Sequence, residues 1–194
     1  MEIQNFSQAA ANNQLPILQE LKKLQAFQQT RLNVLEIGSG SGQHAIYFTS
    51  ELPHIHWQPS DQGAYFEGLQ HNLREFTASN IAPPLYIDLT QPTWPSPIDV
   101  LYAANVIHIM PERLLPQMFA SPANLLLFYG PYKYQGQFTT ESNANFDQWL
   151  KARNPESGIR DMESLLSLGE EAGYQLVKDQ PMPANNQFLV FQRD

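Results

Sequence analysis

The sequence lacks cysteine altogether and is poor in basic residues. Without cysteine, disulfide bonds, thiolate nucleophiles and thiolate metal ligands are excluded. The 194 residues carry 11 Lys and Arg against 19 Asp and Glu, which leaves a net charge of −8 at pH 7. Because a phosphate backbone repels such a protein, and no run of Lys or Arg offers a local basic patch, we expect no nucleic-acid partner.

Long apolar runs are also missing. The longest, around 125–129, is far short of the roughly 20 residues of a membrane-spanning helix. No basic segment followed by an apolar stretch marks a signal peptide, so we expect a cytoplasmic protein without membrane contact. What the sequence has is apolar content, at 42% of residues, with 3 Trp, 8 Tyr and 11 Phe. This is enough to build a core, and we predict a single domain over 1–194.

Short apolar segments alternate with amphipathic ones along the chain. Strands are predicted at 32–37, 55–59, 85–87, 99–104, 125–129, 174–179 and 188–192, and helices at 16–27, 43–51, 64–76, 112–119 and 161–172. This alternation predicts an α/β fold with a mostly parallel sheet. Because the last two strands are joined by a short loop, we expect the final strand to be antiparallel.

One segment, about 132–158, does not fit the alternation. It is rich in Gln, Thr, Asn, Gly and Tyr and is too long for a simple connection. Loops after the carboxyl ends of parallel strands cover the ligand crevice of such sheets. We therefore interpret this segment as a lid with a short helix at about 143–151, and residues 1–30 as a helical N-terminal segment.

The strongest local signal is a glycine-rich turn after the first predicted strand. Gly38, Gly40 and Gly42 alternate with serines, and Glu36 precedes them. Glycines let the backbone turn sharply and approach a ligand, and the following helix offers free N–H groups. Position 43 is Gln, whereas a dinucleotide motif would have glycine there. Glu36 beside the turn favours a cationic or hydroxyl-bearing ligand. The alternative is a turn that serves packing alone.

The turn resembles the first motif of class I S-adenosylmethionine-dependent methyltransferases. More narrowly, six segments are similar to a methyltransferase-like family catalogued as a domain of unknown function. They are SGQH at 41–44, WQPSD at 57–61, YGPY at 129–132, SNANFD at 142–147, GIRD at 158–161 and MPANN at 182–186. The resemblance implies a three-layer, Rossmann-like fold with a mostly parallel seven-stranded sheet and an antiparallel last strand.

The resemblance also implies an S-adenosylmethionine site. Asp61 would accept hydrogen bonds from the ribose hydroxyls, because an ionised carboxylate offers only acceptors. Asp88 would accept from the adenine amino group, and Asn105 would line the methionine end. A turn or helix cap is the alternative for an isolated Asp, but three successive predicted strands end in such side chains.

The glycine turn would pass beneath the methionine and ribose, with Glu36 orienting the turn and the amino end of the cofactor. The implied cofactor residues are Glu36, Gly38, Ser39, Gly40, Gly42, His44, Asp61, Asp88, Leu89 and Asn105. We expect no metal site, because the pair His54 and His56 has no third ligand at suitable spacing.

His108 is the candidate general base. A neutral imidazole can take a proton from an attacking hydroxyl or amine, although alignment alone can carry a methyl transfer and packing of the loop is the alternative. The resemblance implies that six aromatic or amide residues bind the acceptor: Asn13, Tyr129, Tyr132, Asn143, Phe146 and Asn185. For Phe146 and Trp149 the alternative is the buried stripe of a helix, and for Asn185 a hairpin turn.

The resulting hypothesis is an S-adenosylmethionine-dependent methyltransferase acting on a small molecule. A non-catalytic sensor or scaffold that binds S-adenosylmethionine or S-adenosylhomocysteine is one alternative. A nicotinamide-dependent oxidoreductase is another, disfavoured by Gln43 and the terminal hairpin. The reacting atom, the identity of the acceptor, which could be a protein, and the oligomeric state stay open.

Overall fold

The computed structural model describes residues 3–29, 31–76 and 78–194, and it divides after Tyr102 into two compact units. The first unit contains α1 (Gln8–Leu21), β1 (Leu32–Ile37), α2 (Gln43–Glu51), β2 (Ile55–Asp61), α3 (Gly63–Arg74), β3 (Leu85–Tyr86) and most of β4 (Val100–Ala104). Here β1 pairs in parallel with β2 and β4, and β2 pairs in parallel with β3. The predicted parallel arrangement of these strands is confirmed.

The second unit combines a terminal hairpin with a small additional sheet. Its elements are α4 (Leu115–Phe119), β5 (Leu125–Gly130), β6 (Tyr132–Tyr134), β7 (Gln137–Phe138), α5 (Glu141–Arg153), β8 (Arg160–Asp161), α6 (Met162–Glu171), β9 (Tyr174–Met182) and β10 (Asn186–Arg193). β10 is antiparallel to both β5 and β9. The register of β9 and β10 shifts by one residue, which leaves Val177 of β9 as a bulge.

The main sheet has seven strands in the order β3-β2-β1-β4-β5-β10-β9. The sequence-based prediction of an α/β fold with a mostly parallel seven-stranded sheet and an antiparallel last strand is therefore confirmed. Within the residues that the structure describes, none of the helices has the length and apolar character that crossing a membrane requires.

Aromatic clusters fill the core of each unit. In the first, the ring centroid of Trp57 lies 5.4 Å from that of Phe48 and 5.5 Å from that of Tyr102. In the second, the ring of Phe119 lies 5.7 Å from Phe128 and 5.2 Å from Phe191. All four pairs meet edge to face or tilted, the arrangement that the ring quadrupoles favour.

The first helix differs from the prediction. We expected a helix over 16–27, which would begin at Pro16. Instead α1 begins at Gln8, capped by Ser7, whose Oγ accepts from the N–H of Ala10 at 3.2 Å. Pro16 lies inside the helix, where it has no N–H to donate to the carbonyl of Asn12. The helix ends at Leu21, and residues 25–28 form a separate 3₁₀ turn.

The segment 132–158 contains more regular structure than predicted. The short helix is confirmed and runs longer, as α5, with Thr140 as its cap. Strands β6 and β7, which we did not predict, form a three-stranded sheet with β8 in the order β7-β6-β8. Two- and three-residue strands are too short to leave a period in the sequence. The role of this segment as a lid stays a prediction.

Candidate functional site

The turn between β1 and α2 holds three glycines in the left-handed region, with φ of +69° at Gly38, +57° at Gly40 and +79° at Gly42. A Cβ added at Gly40 would meet no atom within 4 Å, whereas one added at Gly42 would lie 3.0 Å from the side chain of Leu69. Gly42 therefore lets the turn pack against α3, and Gly40 leaves open space beside the backbone.

Glu36 is buried at the end of β1, behind this turn. Its Oε2 accepts hydrogen bonds from Ser39 Oγ at 2.8 Å and from Trp57 Nε1 at 3.0 Å. Burial raises the pKa of Glu36 to about 7, and the nearby charge of Asp61 adds to this, although the two hydrogen bonds oppose it. Glu36 is thus poised to ionise near neutral pH when a cation approaches it.

Asp61 ends β2 and attaches to the same turn. Its Oδ2 accepts from the N–H of Gly40 at 2.6 Å and its Oδ1 from the N–H of Gln62 at 2.8 Å. Burial raises the pKa of Asp61. A carboxylate offers about four lone-pair sites, so acceptor capacity remains for further donors. The structure therefore brings Glu36, Ser39, Gly40 and Asp61 together.

Asp88 does not join this cluster through the contacts that the structure describes. It follows β3, and its Oδ1 accepts from the N–H of Thr90 at 2.8 Å, which lowers the pKa of Asp88. Such a local turn is the alternative to adenine binding that the sequence also allows for Asp88. Leu89 beside it is buried. A role of either residue at the adenine stays a prediction.

His44 and Asn13 form a buried contact within the first unit. His44 Nε2 lies 2.7 Å from Asn13 Oδ1, and His44 Nδ1 lies 3.1 Å from the hydroxyl of Tyr102. Because an amide oxygen can only accept, Nε2 carries the proton and Nδ1 accepts from Tyr102. Burial lowers the pKa of His44 to about 4, so the ring is neutral. The structure therefore places Asn13 against His44, where it links α1 to α2.

In the second unit, the loop after β4 carries Asn105 and His108. Asn105 has a positive φ of +58°, and its N–H donates to the carbonyl of Tyr129 at 2.8 Å. His108 is 4% exposed, and its Nδ1 has no hydrogen-bond partner in the described part of the chain. A Cβ at Gly130 would lie 3.2 Å from this Nδ1, so any other residue there would crowd the imidazole of His108.

Arg160 fixes the His108 loop. Its Nε donates to the carbonyl of Ile107 at 3.2 Å, and its Nη2 donates to the carbonyls of Met110 and, at 2.7 Å, Glu156. Burial, with a contribution from the Arg160 charge, lowers the pKa of His108 to about 4, so this imidazole is neutral at physiological pH. Sequence reasoning noted Arg160 only within a motif, because nothing in the sequence links it to residues 50 positions away.

The rings of Phe146 and His108 meet edge to face with their centroids 5.4 Å apart, and the ring of Phe146 stacks on that of Trp149 at 5.7 Å. Trp149 is 52% exposed, so the alternative of a buried helical stripe is wrong for this residue. The guanidinium of Arg153 lies 4.6 Å from the Trp149 ring, in cation–π contact. Phe146 therefore contacts both a neutral imidazole and a half-exposed indole.

The other predicted acceptor residues fall into two kinds. Tyr129 and Tyr132 are buried, and the Tyr132 hydroxyl has no partner among the described residues, while burial raises the pKa of Tyr132 far above its ordinary value. Asn143 instead donates through Nδ2 to Thr139 Oγ1 at 2.9 Å and to the carbonyl of Asn185 at 3.0 Å. Asn185 has a φ of +59° in the β9–β10 turn, as its hairpin alternative requires. Across residues 3–29, 31–76 and 78–194, no group of three or more His, Asp or Glu could hold a metal ion.

Solved structures share this fold. Mitomycin 7-O-methyltransferase MmcR aligns with a TM-score of 0.77 at 16% identity, over 96% of this chain and 55% of that one. An O-methyltransferase family protein from Burkholderia thailandensis gives 0.78 at 13%, over 96% and 57%. An O-methyltransferase family 2 protein from Planctomyces limnophilus, in complex with apigenin, gives 0.77 at 15%, over 96% and 60%. The present chain thus spans between half and two thirds of these proteins.

These similarities show the fold: the chain has the Rossmann-like fold that class I S-adenosylmethionine-dependent methyltransferases also have. Within it, the sequence model described as "Protein of unknown function (DUF938)" matches residues 4–193. The chain belongs to this family.

Proposed function

We propose that the protein is an S-adenosylmethionine-dependent methyltransferase with a small-molecule acceptor. One observation carries the proposal: Gly40 leaves open space beside a backbone that Asp61 holds in place and that Glu36 supports from behind. The two carboxyl groups suit a ligand that has a cationic end and hydroxyl groups. S-adenosylmethionine is such a ligand. The O-methyltransferase names of the structural neighbours support the same function.

The residues of the first unit fit this cofactor. Glu36 would accept from the amino group of the methionine moiety, because an adjacent cation stabilises its ionised form. Asp61 would accept from the ribose hydroxyls through the lone pairs that Gly40 and Gln62 leave free. The bound cofactor supplies a sulfonium methyl group, and its demethylated product is an effective leaving group.

The residues of the second unit fit an acceptor. His108 is neutral and its Nδ1 is unpartnered, so it would take the proton that an attacking hydroxyl or amine loses. The unpartnered hydroxyl of Tyr132 would hydrogen-bond to the acceptor, and Phe146 would provide an aromatic wall. For the other residues we keep the roles that the resemblance implies: Asp88 would accept from the adenine amino group, and Asn105 would line the methionine end.

Calorimetric titration with S-adenosylmethionine, S-adenosylhomocysteine and NADH tests the cofactor half. We expect micromolar binding of the first two and none of NADH, and we expect Asp61→Ala to lose this binding while its circular dichroism stays native. Binding of NADH alone would instead support an oxidoreductase.

Transfer of a labelled methyl group to small molecules of a cell extract tests the acceptor half. We expect an acceptor-dependent product, and a rate about 100-fold lower for His108→Asn with unchanged cofactor affinity. Binding of S-adenosylmethionine with no transfer to small molecules or to proteins would favour the sensor or scaffold.

A further inference from the structure

Residues 4–7, which we call the N-terminal strap, are held by two buried amide side chains. Gln43 Oε1 accepts from the N–H of Ser7 at 2.7 Å, and Gln43 Nε2 donates to the carbonyl of Ser7 at 3.2 Å. Asn72 Oδ1 accepts from the N–H of Gln4 at 2.9 Å, and Asn72 Nδ2 donates to the carbonyl of Gln4 at 2.9 Å. Each amide therefore pairs with the strap as a peptide group of a neighbouring strand would.

The same two amides hold the glycine turn, and they meet at Ser41. The hydroxyl of Ser41 donates to Gln43 Oε1 at 2.7 Å, and the carbonyl of Ser41 accepts from Asn72 Nδ2 at 2.9 Å. Ser41 stands between Gly40 and Gly42, both of which have positive φ. Each amide thus bonds to the strap on one side and to the glycine turn on the other.

The backbone of the strap is shaped for this attachment. Asn5, which lies between Gln4 and Ser7, has a φ of +57°. Its side-chain amide occupies the place where a Cβ on Gly68 of α3 would lie. Gln43 is 8% exposed and Asn72 is 1% exposed. If the strap left, Gln43 Nε2 and Asn72 Oδ1 would lose the partners that the strap provides, while Gln43 Oε1 and Asn72 Nδ2 would keep only their bonds to Ser41. Because each amide would then be held from one side instead of two, we expect Ser41 to be held less firmly.

We propose that Gln43 and Asn72 are positioning residues for the cofactor, which couple docking of the N-terminal strap to the conformation of the glycine turn. The inference rests on the proposed binding of S-adenosylmethionine by this turn. It also explains Gln43, which stands where a dinucleotide-binding turn has a glycine: a glycine there could not hold Ser7. Because coupling is reciprocal, cofactor binding should in turn tighten the strap.

The sharpest test changes the strap without touching the turn. Gln4→Pro removes the N–H that Asn72 accepts, whereas the matched control Gln4→Ala keeps it. We expect S-adenosylhomocysteine to bind Gln4→Pro about tenfold more weakly than wild type in calorimetry, and Gln4→Ala to bind within about twofold. Gln43→Ala, which removes the two hydrogen bonds to the backbone of Ser7, should weaken binding by a similar or larger factor.

Hydrogen exchange of the wild type and both position-4 variants provides a readout that a merely structural strap would not move. In the wild type, saturating S-adenosylhomocysteine should slow exchange of the Ser7 amide. In Gln4→Pro that amide should exchange faster and respond less to the ligand.

The outcomes separate the two proposals. Wild-type protein that fails to bind S-adenosylhomocysteine would overturn both the proposed function and the coupling. Wild-type binding that Gln4→Pro leaves unchanged, or a Ser7 amide that ignores the ligand, would overturn the coupling alone and leave the strap as a packing element.

Discussion

The glycine turn of the first unit and the His108 loop of the second both bury polar and ionisable side chains, but they satisfy them differently. Around the turn, the side chains of Glu36, Gln43 and Asn72 hydrogen-bond within the protein. Among the described residues, the buried side-chain atoms without a partner are His108 Nδ1, Tyr132 Oη and Ser121 Oγ, and all three belong to the second unit.

The hydrogen bonds around the glycine turn are complete within the protein, whereas those around the His108 loop are not. Buried polar groups without partners are unfavourable, so they are rare unless something else satisfies them. The glycine turn of the first unit is therefore held in place by hydrogen bonds within the protein itself. His108 and Tyr132 keep hydrogen-bonding capacity that the proposed acceptor would use.

The largest expected effect comes from breaking the preorganised turn. Gly40→Val places a β-branched residue at a φ of +57° and fills the open space beside it, so we expect S-adenosylhomocysteine affinity to fall more than about 100-fold. Calorimetry measures the affinity, and circular dichroism should stay native. Unchanged affinity would show that the ligand does not approach the turn.

Glu36→Gln separates stability from binding in the same region. The pKa of Glu36 rises on folding from 4.5 to about 7, so its contribution to the free energy of unfolding is full below 4.5 and is lost as pH rises through 7. At pH 8 the neutral Gln should therefore raise the free energy of unfolding by about 3 kcal/mol, and at pH 4.5 by little. Urea unfolding of Glu36→Gln and wild type at both pH values measures the change in the free energy of unfolding. The affinity of the variant for the cofactor should fall. Equal stability gains at both pH values would contradict the shifted pKa.

His108 should stay neutral far below the usual pH of histidine titration. With a pKa of about 4, only about 3% of His108 is protonated at pH 5.5, against about 90% for an ordinary histidine. Nitrogen NMR of the imidazole, assigned by comparison with His108→Asn, measures the charge directly. A ring that titrates near 6.5 would show that the loop opens to water.

The smallest effect, from a matched pair of buried tyrosines, sharpens the comparison most directly. The Tyr102 hydroxyl donates to His44 Nδ1, and the Tyr132 hydroxyl has no partner in the described structure. Tyr102→Phe should therefore lower the free energy of unfolding by about 1–2 kcal/mol, whereas Tyr132→Phe should leave it unchanged or raise it by up to about 1 kcal/mol. Urea unfolding of both variants at pH 7.5 decides the matter. Equal losses would mean that the Tyr132 hydroxyl is satisfied in solution.

The central strands of the main sheet could be predicted from the sequence because they are short, mostly buried segments that end at distinctive residues. β5, for example, is an apolar run that ends in Gly130, and β1 is buried except at Asn33 and is followed by Gly38. The first helix was misplaced because Pro16 is typical of a helix start, and the capping Ser7 has no apolar stripe beside it. The short strands β6 and β7 were missed because two or three residues carry no periodic pattern.

The candidate site was accessible to sequence reasoning only in part. The glycine turn and Asp61 could be found because strand ends and glycine spacing mark them. The support of the turn by Gln43 and Asn72 could not, because an amide side chain pairing with a distant backbone leaves no local pattern. The same holds for Arg160, whose partners are carbonyl groups that any residue provides.

The bulge at Val177 bears on how the protein behaves at high concentration. β9 is an edge strand nine residues long, and a long flat edge invites a strand from another molecule to pair with it. The extra residue twists that edge, Lys178 and Asp179 beside it place charges there, and Pro181 has no N–H to offer. The opposite edge strand, β3, has only two residues. Both margins of the sheet therefore resist growth, which protects the folded protein from ordered aggregation.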